Sequence, residues 1–392
     1  MTKQTSGTRL RAVIIALALA MVLVPAVTAQ GQTFTTLYNF TGSSDGGYPF
    51  GGLAWDANGN LYGTTYYGGS YGYGTVFEVV PSGPTESVLW SFSGSTDGAW
   101  PYAGVAVGGG NVYGTAYYYG ADYCGTVWEV PTTGGSETTL HSFTCGSDGG
   151  YPFAGVTMGP KGALFGSAAD EGSDYDGTLW SIAPNGTFNA VSFDYTDGGY
   201  PYQNPICGTR TCEILYGATE SGGSYGYGAV YKWNRKTGAI TVLHNFDYNG
   251  TDGAYPIYGY LIEDNKGNLY GTTEEGGANG YGTVYKINEA TGTETILHSF
   301  NYTSSDGAYP LGGVARDIKG NLYGTTEASG TGGYGVLYKL TPKGTETILV
   351  NFDYTNGAYP YANPIVLRNG TLYGTTYYGG SGGYGTVWEY VP

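Results

Sequence analysis

The chain has 392 residues, of which 41% are hydrophobic and 12% are charged, and it contains 72 Gly and 42 Tyr. Its formal net charge of −16 at pH 7 argues against partners with a phosphate backbone or an anionic lipid surface, so we expect no nucleic-acid binding. The glycines recur at fixed places between β-branched and aromatic runs, which indicates turns between strands rather than disorder.

The N-terminal residues 1–29 have the parts of a secretory signal peptide. Lys3, Arg9 and Arg11 form a basic start, residues 12–24 are apolar, and small residues precede the cleavage position. The apolar run is shorter than the roughly 20 residues that a membrane-spanning helix needs. No second apolar run follows, so we expect an exported mature chain, extracellular or periplasmic, without a membrane span.

A Leu-Tyr-Gly-Thr-Thr motif, with some variation, then occurs seven times at steps of about fifty residues, which is typical of β-propeller blades. Its aromatic residues are Tyr62, Tyr113, Phe165, Tyr216, Tyr270, Tyr323 and Tyr373. The first unit predicts strands A to D at 51–56, 60–66, 75–80 and 86–92, with an Asn58-Gly59 turn between A and B. The predicted fold is all-β, a seven-bladed β-propeller of four-stranded blades formed by residues 30–392 as a single domain.

The two ends of the repeat region complement each other. The last unit has strands A, B and C at 364–367, 372–376 and 386–390 but no strand D, while residues 33–40 have the sequence of a strand D without a blade. Pairing the two would complete the last blade and close the ring without leaving an unpaired end. We expect the closed propeller to be a monomer.

These motifs, together with the recurrent Gly-Thr-Val and Asp-Gly-Ala-Tyr-Pro elements, resemble the GloVer tandem-repeat proteins over about residues 33–392. The resemblance implies export and a repeat β architecture, and it implies no activity or catalytic set. Many members carry C-terminal anchors, and we expect none here because the sequence stops at Pro392.

Four cysteines lie in the predicted mature chain. Cys124 precedes strand C of the second unit and Cys145 follows its strand D, so antiparallel pairing brings the two together. Cys207 and Cys212 flank the A–B turn of the fourth unit. We predict disulfides Cys124–Cys145 and Cys207–Cys212; the rival interpretation, a metal site, is disfavoured because the pairs lie in different blades without a nearby His.

Two recurrent positions bear on catalysis. His141, His244 and His298 share one repeat position with Trp90 and Val350, which disfavours a His-based triad or metal site, and we predict no catalytic residues.

The Asp-Gly-aromatic-Pro element either forms a carboxylate ring for cations or sugars or makes turns, and its presence in nearly every unit favours turns. Its members are Asp45, Asp97, Asp148, Asp197, Asp252 and Asp306, with Asn356 in the seventh unit.

The units differ most in their B–C loops, which share one face of a propeller with the D–A connections. Tyrosines there form a predicted arc over blades seven, one and two: Tyr66, Tyr67, Tyr71, Tyr117, Tyr118, Tyr119, Tyr377 and Tyr378. Acids form a second arc over blades three to six: Glu171, Asp174, Glu220, Glu274, Glu275 and Glu327. Either the tyrosines stack on sugars and the acids bind Ca²⁺ or hydroxyl groups, or the tyrosines pack against glycine and the acids are solvated.

The sequence thus favours an exported non-enzymatic binding or scaffold propeller, with a carbohydrate, a cell-envelope component or a protein as partner. The alternative is a glycan-active or metal-dependent enzyme, such as a lyase, glycosidase or lactonase, that uses the acidic arc. We expect no cofactor, apart from Ca²⁺ if the acids bind it. A purely structural surface protein would need neither arc.

Overall fold

The structure is a computed structural model that describes residues 31–392. The strands form seven four-stranded antiparallel sheets, so the predicted seven-bladed, all-β propeller is confirmed. Strands A of several neighbouring blades contact one another around the centre. Among the described residues no helix is long and apolar enough to cross a membrane. The predicted signal peptide, residues 1–29, lies outside the described part of the chain.

Each blade runs from strand A at the centre to strand D at the rim. The A strands are Ala54–Trp55, Ala106–Gly108, Thr157–Met158, Ile206–Cys207, Ile262–Glu263, Ala315–Arg316 and Ile365–Val366. The B strands are Leu61–Thr65, Asn111–Ala116, Leu164–Ala168, Ile214–Thr219, Asn268–Thr273, Leu322–Thr326 and Leu372–Thr376. The C strands are Thr75–Val80, Thr126–Pro131, Thr178–Ile182, Ala229–Asn234, Thr283–Asn288, Val336–Leu340 and Thr386–Val391. The D strands of blades 1 to 6 are Thr85–Ser91, Thr138–Ser142, Phe188–Ser192, Ile240–Asn245, Glu294–Ser299 and Glu346–Asn351.

The ring closes as the sequence predicts. Strand D of blade 7 is the N-terminal strand Thr33–Asn39, which pairs antiparallel with Thr386–Val391. The side chain of Phe40, just beyond this strand, is fully buried against Phe77 of blade 1, with ring centroids 5.1 Å apart. One strand from the start of the repeat region therefore joins the last blade to the first.

The A strands are shorter than predicted. In blade 1 only Ala54–Trp55 joins the sheet, although the sequence favoured 51–56. The carbonyl of Gly51 instead accepts a hydrogen bond of 3.1 Å from the Thr375 hydroxyl of blade 7. A Cβ on Gly51 would collide with the backbone of Ala103 in blade 2. This stretch therefore packs against neighbouring blades and does not extend the ladder.

The glycine of the Leu-Tyr-Gly-Thr-Thr motif makes room for an aromatic ring. In every blade it faces an aromatic residue of strand C, and a Cβ added to the glycine would overlap that ring. The cross-strand pairs are Gly63–Phe77, Gly114–Trp128, Gly166–Trp180, Gly217–Tyr231, Gly271–Tyr285, Gly324–Tyr338 and Gly374–Trp388. All seven aromatic side chains are buried, so each pair builds the core between blades.

Two disulfides brace the structure, and all four cysteines are paired. Cys124–Cys145 joins the loop before strand C to the loop after strand D of blade 2, and Cys207–Cys212 closes the A–B turn of blade 4. Such bonds persist in oxidising compartments, which indicates an extracellular or periplasmic location.

Candidate ligand-binding face

The D–A and B–C loops share one face, which we call the upper face. The two loops of a blade pair with each other: Gly47 bridges to Tyr67 in blade 1, and Ala358 bridges to Tyr378 in blade 7. In blade 5 the pairing is a small sheet of Gly253–Ala254 and Glu275–Gly276. Paired loops hold their side chains in place better than free loops, so the upper face is a preformed surface.

The Asp-Gly-aromatic-Pro elements behave as turns. The Asp45 carboxylate accepts a hydrogen bond of 2.8 Å from the backbone N–H of Thr41 and one of 3.0 Å from the Tyr38 hydroxyl. In the seventh unit the amide oxygen of Asn356 accepts the N–H of Asp353 at 3.0 Å. Because the oxygens of Asp45 and Asn356 are engaged within their own loops, the turn interpretation is favoured over a ring of carboxylates facing one ligand.

The centre of the upper face is closed by aromatic rings that the sequence analysis did not single out. Most of them come directly after the proline of the D–A element and lie at the top of strand A. Phe50 lies 5.5 Å from Tyr102, 5.6 Å from Phe153, and 5.0 Å from both Tyr258 and Tyr361, measured between ring centroids. The sequence pattern that could have predicted these rings is the recurrent aromatic residue after Tyr-Pro or Trp-Pro. We call these five residues the aromatic plug.

Below the plug lies a cavity of about 280 Å³ along the propeller axis. It is lined by the ends of the A strands and by glycine backbone, with Trp55 and Asn204 among its side chains. The amide of Asn204 donates a hydrogen bond of 2.7 Å to the Thr157 hydroxyl, so one of its N–H groups is already engaged. Trp55 is 48% exposed and lies at the end of strand A next to the A–B turn, on the lower face.

Three of the predicted tyrosines surround the plug. Tyr66 stacks on Tyr102 at 4.6 Å, Tyr117 contacts Phe153 at 5.9 Å, and Tyr377 contacts Tyr361 at 5.2 Å. These three occupy the same repeat position, the first residue after strand B. They are half-buried, which leaves part of each ring at the surface.

The other predicted tyrosines lie further out. Tyr67 and Tyr71 are 46% and 64% exposed, so their rings are accessible to a ligand. Tyr118 stacks between Trp100 and Tyr151 at 5.7 and 5.9 Å, as a packing residue does. Tyr119 and Tyr378 make further ring contacts, to residues such as Tyr73 and Tyr48. The tyrosine arc therefore contains both accessible and packed rings.

The glutamates Glu220, Glu274 and Glu327 occupy the repeat position that Tyr66, Tyr117 and Tyr377 hold in other blades, and they complete the border of the plug. The Tyr361 hydroxyl donates a hydrogen bond of 3.3 Å to Glu327. Burial raises the pKa of Tyr258 to about 12, and the three nearby glutamates add to the shift.

Burial also raises the pKa of Glu274 to about 7, with further contributions from Glu275, Glu327 and Glu220. The pKa values of Glu220 and Glu327 are raised by burial as well. Asp170, beside the predicted Glu171, belongs to the same group, because it contributes to the raised pKa of Glu220. Asp174 is exposed and lies further along its loop.

Charge is distributed unequally between the two faces. More than half of the 31 Asp and Glu residues lie in the D–A and B–C loops, whereas no Lys or Arg of residues 31–392 lies there. The basic residues occur in the strands and in the A–B and C–D turns, as Lys266 and Arg368 do. The upper face is thus an anionic surface with an aromatic centre.

The model of the Gloeobacter/Verrucomicrobia repeat matches residues 23–213 and 190–388. The chain belongs to this repeat family. No curated protein matches the chain.

Solved structures share the fold of this family member at low sequence identity. A streptogramin B lyase superposes with a TM-score of 0.59 at 12% identity, covering 92% of this chain and 97% of the other. Virginiamycin B lyase from Staphylococcus aureus gives 0.58 at 14% identity, covering 92% and 99%. The extracellular domain of a putative hybrid two-component system from B. thetaiotaomicron gives 0.56 at 13% identity, covering 91% and 39%. The fold thus occurs both in enzymes and in the extracellular part of a signalling protein, and these likenesses show the fold alone.

Proposed function

We propose that the protein is an exported, non-enzymatic binding protein that recognises a carbohydrate of the cell envelope through its upper face, and that it prefers amine-bearing sugars to acidic ones. The observation that carries the proposal is the border of the aromatic plug, where tyrosine rings and half-buried glutamates meet without a basic residue. Export is supported by the two disulfides and by the sequence of residues 1–29.

The tyrosines supply the apolar part of the recognition. A tyrosine ring offers a flat apolar surface with a hydrogen-bonding tip, which suits the C–H face and the hydroxyl groups of a sugar. Tyr67 and Tyr71 have the accessible rings, and Tyr66 next to them presents part of its ring beside the plug. A ligand that contacts all three would lie across blade 1 towards the centre.

The glutamates supply the polar part. Glu220, Glu274 and Glu327 can accept hydrogen bonds from hydroxyl groups, and in their ionised form they attract a protonated amine. The absence of Lys and Arg from the upper-face loops means that a uronate or a sulfated sugar would meet only repulsion there. The surface therefore favours glucosamine-type sugars.

A glycan array tests this proposal directly. The protein without residues 1–29 is applied to neutral, amine-bearing and acidic oligosaccharides, once with Ca²⁺ and once with a chelator. We expect the strongest binding to amine-bearing glycans and none to acidic ones. Calcium-dependent binding would assign the acids a metal-assisted role, and calcium-independent binding would assign the contact to the tyrosines. Preferential binding to acidic glycans contradicts the proposal.

Single variants then locate the site. Tyr67→Ala and Tyr71→Ala remove exposed rings and should abolish binding while leaving the unfolding midpoint unchanged. Tyr118→Ala should instead lower stability, because its ring is stacked between two others. Trp55→Ala is the matched control, since it removes an exposed ring from the lower face. Loss of binding in Trp55→Ala alone would place the ligand in the lower mouth of the cavity.

A second set of variants tests the preference for amine-bearing over neutral glycans. Glu274→Gln and Glu327→Gln keep the shape of the side chain and remove its charge, so they should reduce the preference for amine-bearing over neutral glycans. Glu213→Gln removes an exposed charge next to the A–B turn of blade 4 and serves as the control. An unchanged preference in both upper-face variants would show that the carboxylates do not contact the ligand.

The second candidate is a glycan-active or metal-dependent enzyme that uses the acidic arc. One observation favours it: a carboxyl group with a pKa of about 7, as in Glu274, suits general acid–base catalysis at neutral pH. Mass spectrometry of glycans after incubation tests it, with Glu274→Gln as the inactive control. Products that form with the parent protein and not with the variant would replace the binding proposal by this one.

A further inference from the structure

Three side chains with metal-ligating groups meet at the boundary between blades 4 and 5, and the same set meets between blades 5 and 6. His244 lies in strand D of blade 4, Asp252 lies in the following loop, and Glu294 begins strand D of blade 5. The second set is His298, Asp306 and Glu346. In each set the three ligand atoms lie within 4.8 Å of one another.

The spacing of these atoms fits a bound ion. His244 Nε2 lies 3.3 Å from Asp252 Oδ2 and 3.8 Å from Glu294 Oε2. His298 Nε2 lies 3.1 Å from Asp306 Oδ1 and 3.7 Å from Glu346 Oε2. Ligands about 2.1 Å from a tetrahedral zinc ion lie about 3.4 Å from each other. The distances from each His Nε2 to its two carboxylate oxygens therefore lie close to the spacing of two zinc ligands.

The surrounding groups orient the ligands and leave one oxygen unused. The Asp252 carboxylate accepts the N–H groups of Asp247 at 3.1 Å and of Gly253 at 2.7 Å. Asp306 accepts the corresponding N–H groups of Asn301 and Gly307 at the same distances. Oε1 of Glu294 and of Glu346 is buried without a hydrogen-bond partner, which is costly unless a cation or a proton compensates.

We propose that each of these two sets binds a divalent transition-metal ion, with Zn²⁺ as the best match, and that the ions tie blade 5 to both of its neighbours. One imidazole and two carboxylates suit zinc and similar metals better than Ca²⁺ or Mg²⁺, which prefer oxygen ligands alone. Three protein ligands leave a coordination position for water. Each His side chain is 18% exposed, so an ion can enter from the solvent.

The other blade boundaries provide natural comparisons. Between blades 2 and 3, His141 and Asp148 are present with Nε2 and Oδ2 3.0 Å apart. There Phe188 takes the position of the glutamate, as its pairing with Ile182 shows, and its ring stacks on His141 at 3.6 Å. Between blades 7 and 1, Tyr38 occupies the position of the histidine and lies beside Asp45 and Glu86. Among the described residues, only two boundaries have the full set of ligands.

The shared repeat position of the three histidines had disfavoured a His-based metal site. The glutamate comes from the next blade, and only the packing of neighbouring D strands brings it to the His and Asp. A set that recurs at two boundaries out of seven is compatible with repeated structure, since each boundary is a separate site.

Metal content tests the proposal. The purified protein is stripped with a chelator, loaded with Zn²⁺, passed through a desalting column and measured by mass spectrometry for zinc per chain. We expect two ions per chain, one in Glu294→Gln, one in Glu346→Gln and none in the double variant. His141→Gln, the matched control, should retain two. Substitution with Co²⁺ should give visible absorption bands that the double variant lacks.

Two results would overturn the proposal. One is fewer than one tightly held ion per chain in the parent protein, which would mean that the buried glutamates are compensated by protons. The other is a double variant that keeps its zinc, which would place the ions elsewhere. If Glu346→Gln does not fold, Glu346→Phe reproduces the arrangement of Phe188 next to His141 and should also remove one ion.

Discussion

Replacing Gly63 by Ala tests whether the motif glycine exists to admit the ring of the facing strand. The added Cβ would lie 2.6 Å from Cζ of Phe77 and 3.0 Å from Cδ2 of Leu53, both in well-packed surroundings. Overpacking of this kind costs about 1–3 kcal/mol. The substitution also lowers the entropy of the unfolded chain, which offsets about 0.4–1 kcal/mol. We expect Gly63→Ala to lower the free energy of unfolding by about 1–2 kcal/mol.

Urea unfolding followed by tryptophan fluorescence measures this loss. Gly83→Ala is the control, because its Cβ would meet nothing within 4 Å and its φ angle is not positive, so it should be neutral or slightly stabilising. Phe77→Leu destabilises alone but makes room for the new methyl group, so the double variant should be more stable than the sum of the single losses predicts. Equal effects of Gly63→Ala and Gly83→Ala, or strict additivity with Phe77→Leu, would refute the packing explanation.

Three further predictions concern a buried glutamate at a blade boundary, the two disulfides and the strand that closes the ring. Burial raises the pKa of Glu86 to about 7, so the stability that its neutral form provides is present below about pH 4.5 and is lost as the pH rises through 7. Glu86→Gln should therefore be more stable than the parent protein at pH 8 and equally stable at pH 4. Thermal unfolding at both pH values measures this difference. Replacing both cysteines by serine should lower the free energy of unfolding by about 3 kcal/mol for Cys124–Cys145 and about 2 kcal/mol for the shorter loop of Cys207–Cys212, and equal losses would contradict the loop-entropy argument. Phe40→Ala should lower the free energy of unfolding by about 3–5 kcal/mol and expose strand Thr33–Asn39 to protease. Phe143→Ala, at the position in blade 2 that corresponds to Phe40, should lower the free energy of unfolding as much without releasing the N-terminus.

The sequence predicted the blades because each blade meets the same packing requirement. The glycine facing an aromatic ring and the buried threonines recur every fifty residues, so their period was visible. The closure of the ring and both disulfides followed from strand order alone. The A strands were predicted too long because Gly51 makes its contacts with neighbouring blades, and no pattern within one unit shows this.

The candidate sites were harder to predict because they combine residues from different units. The aromatic plug joins rings such as Phe50, Phe153 and Tyr258, which are separated by about one hundred residues or more and meet only on the propeller axis. The two His-Asp-Glu sets likewise cross a blade boundary. A repeat pattern shows which residues all blades have in common, but it does not show which residues of different blades lie in contact.

The position after strand B shows where the fold leaves freedom for function. It holds Tyr66 in blade 1, Ala169 in blade 3 and Glu274 in blade 5, on backbones that pair in the same way. Because the propeller accommodates an aromatic ring, a methyl group or a carboxylate there, packing does not dictate the choice. The glycine three residues earlier has no such freedom, since a Cβ would collide with the facing ring in every blade. The residue at this position therefore differs between blades for a reason other than packing, and ligand binding would be such a reason.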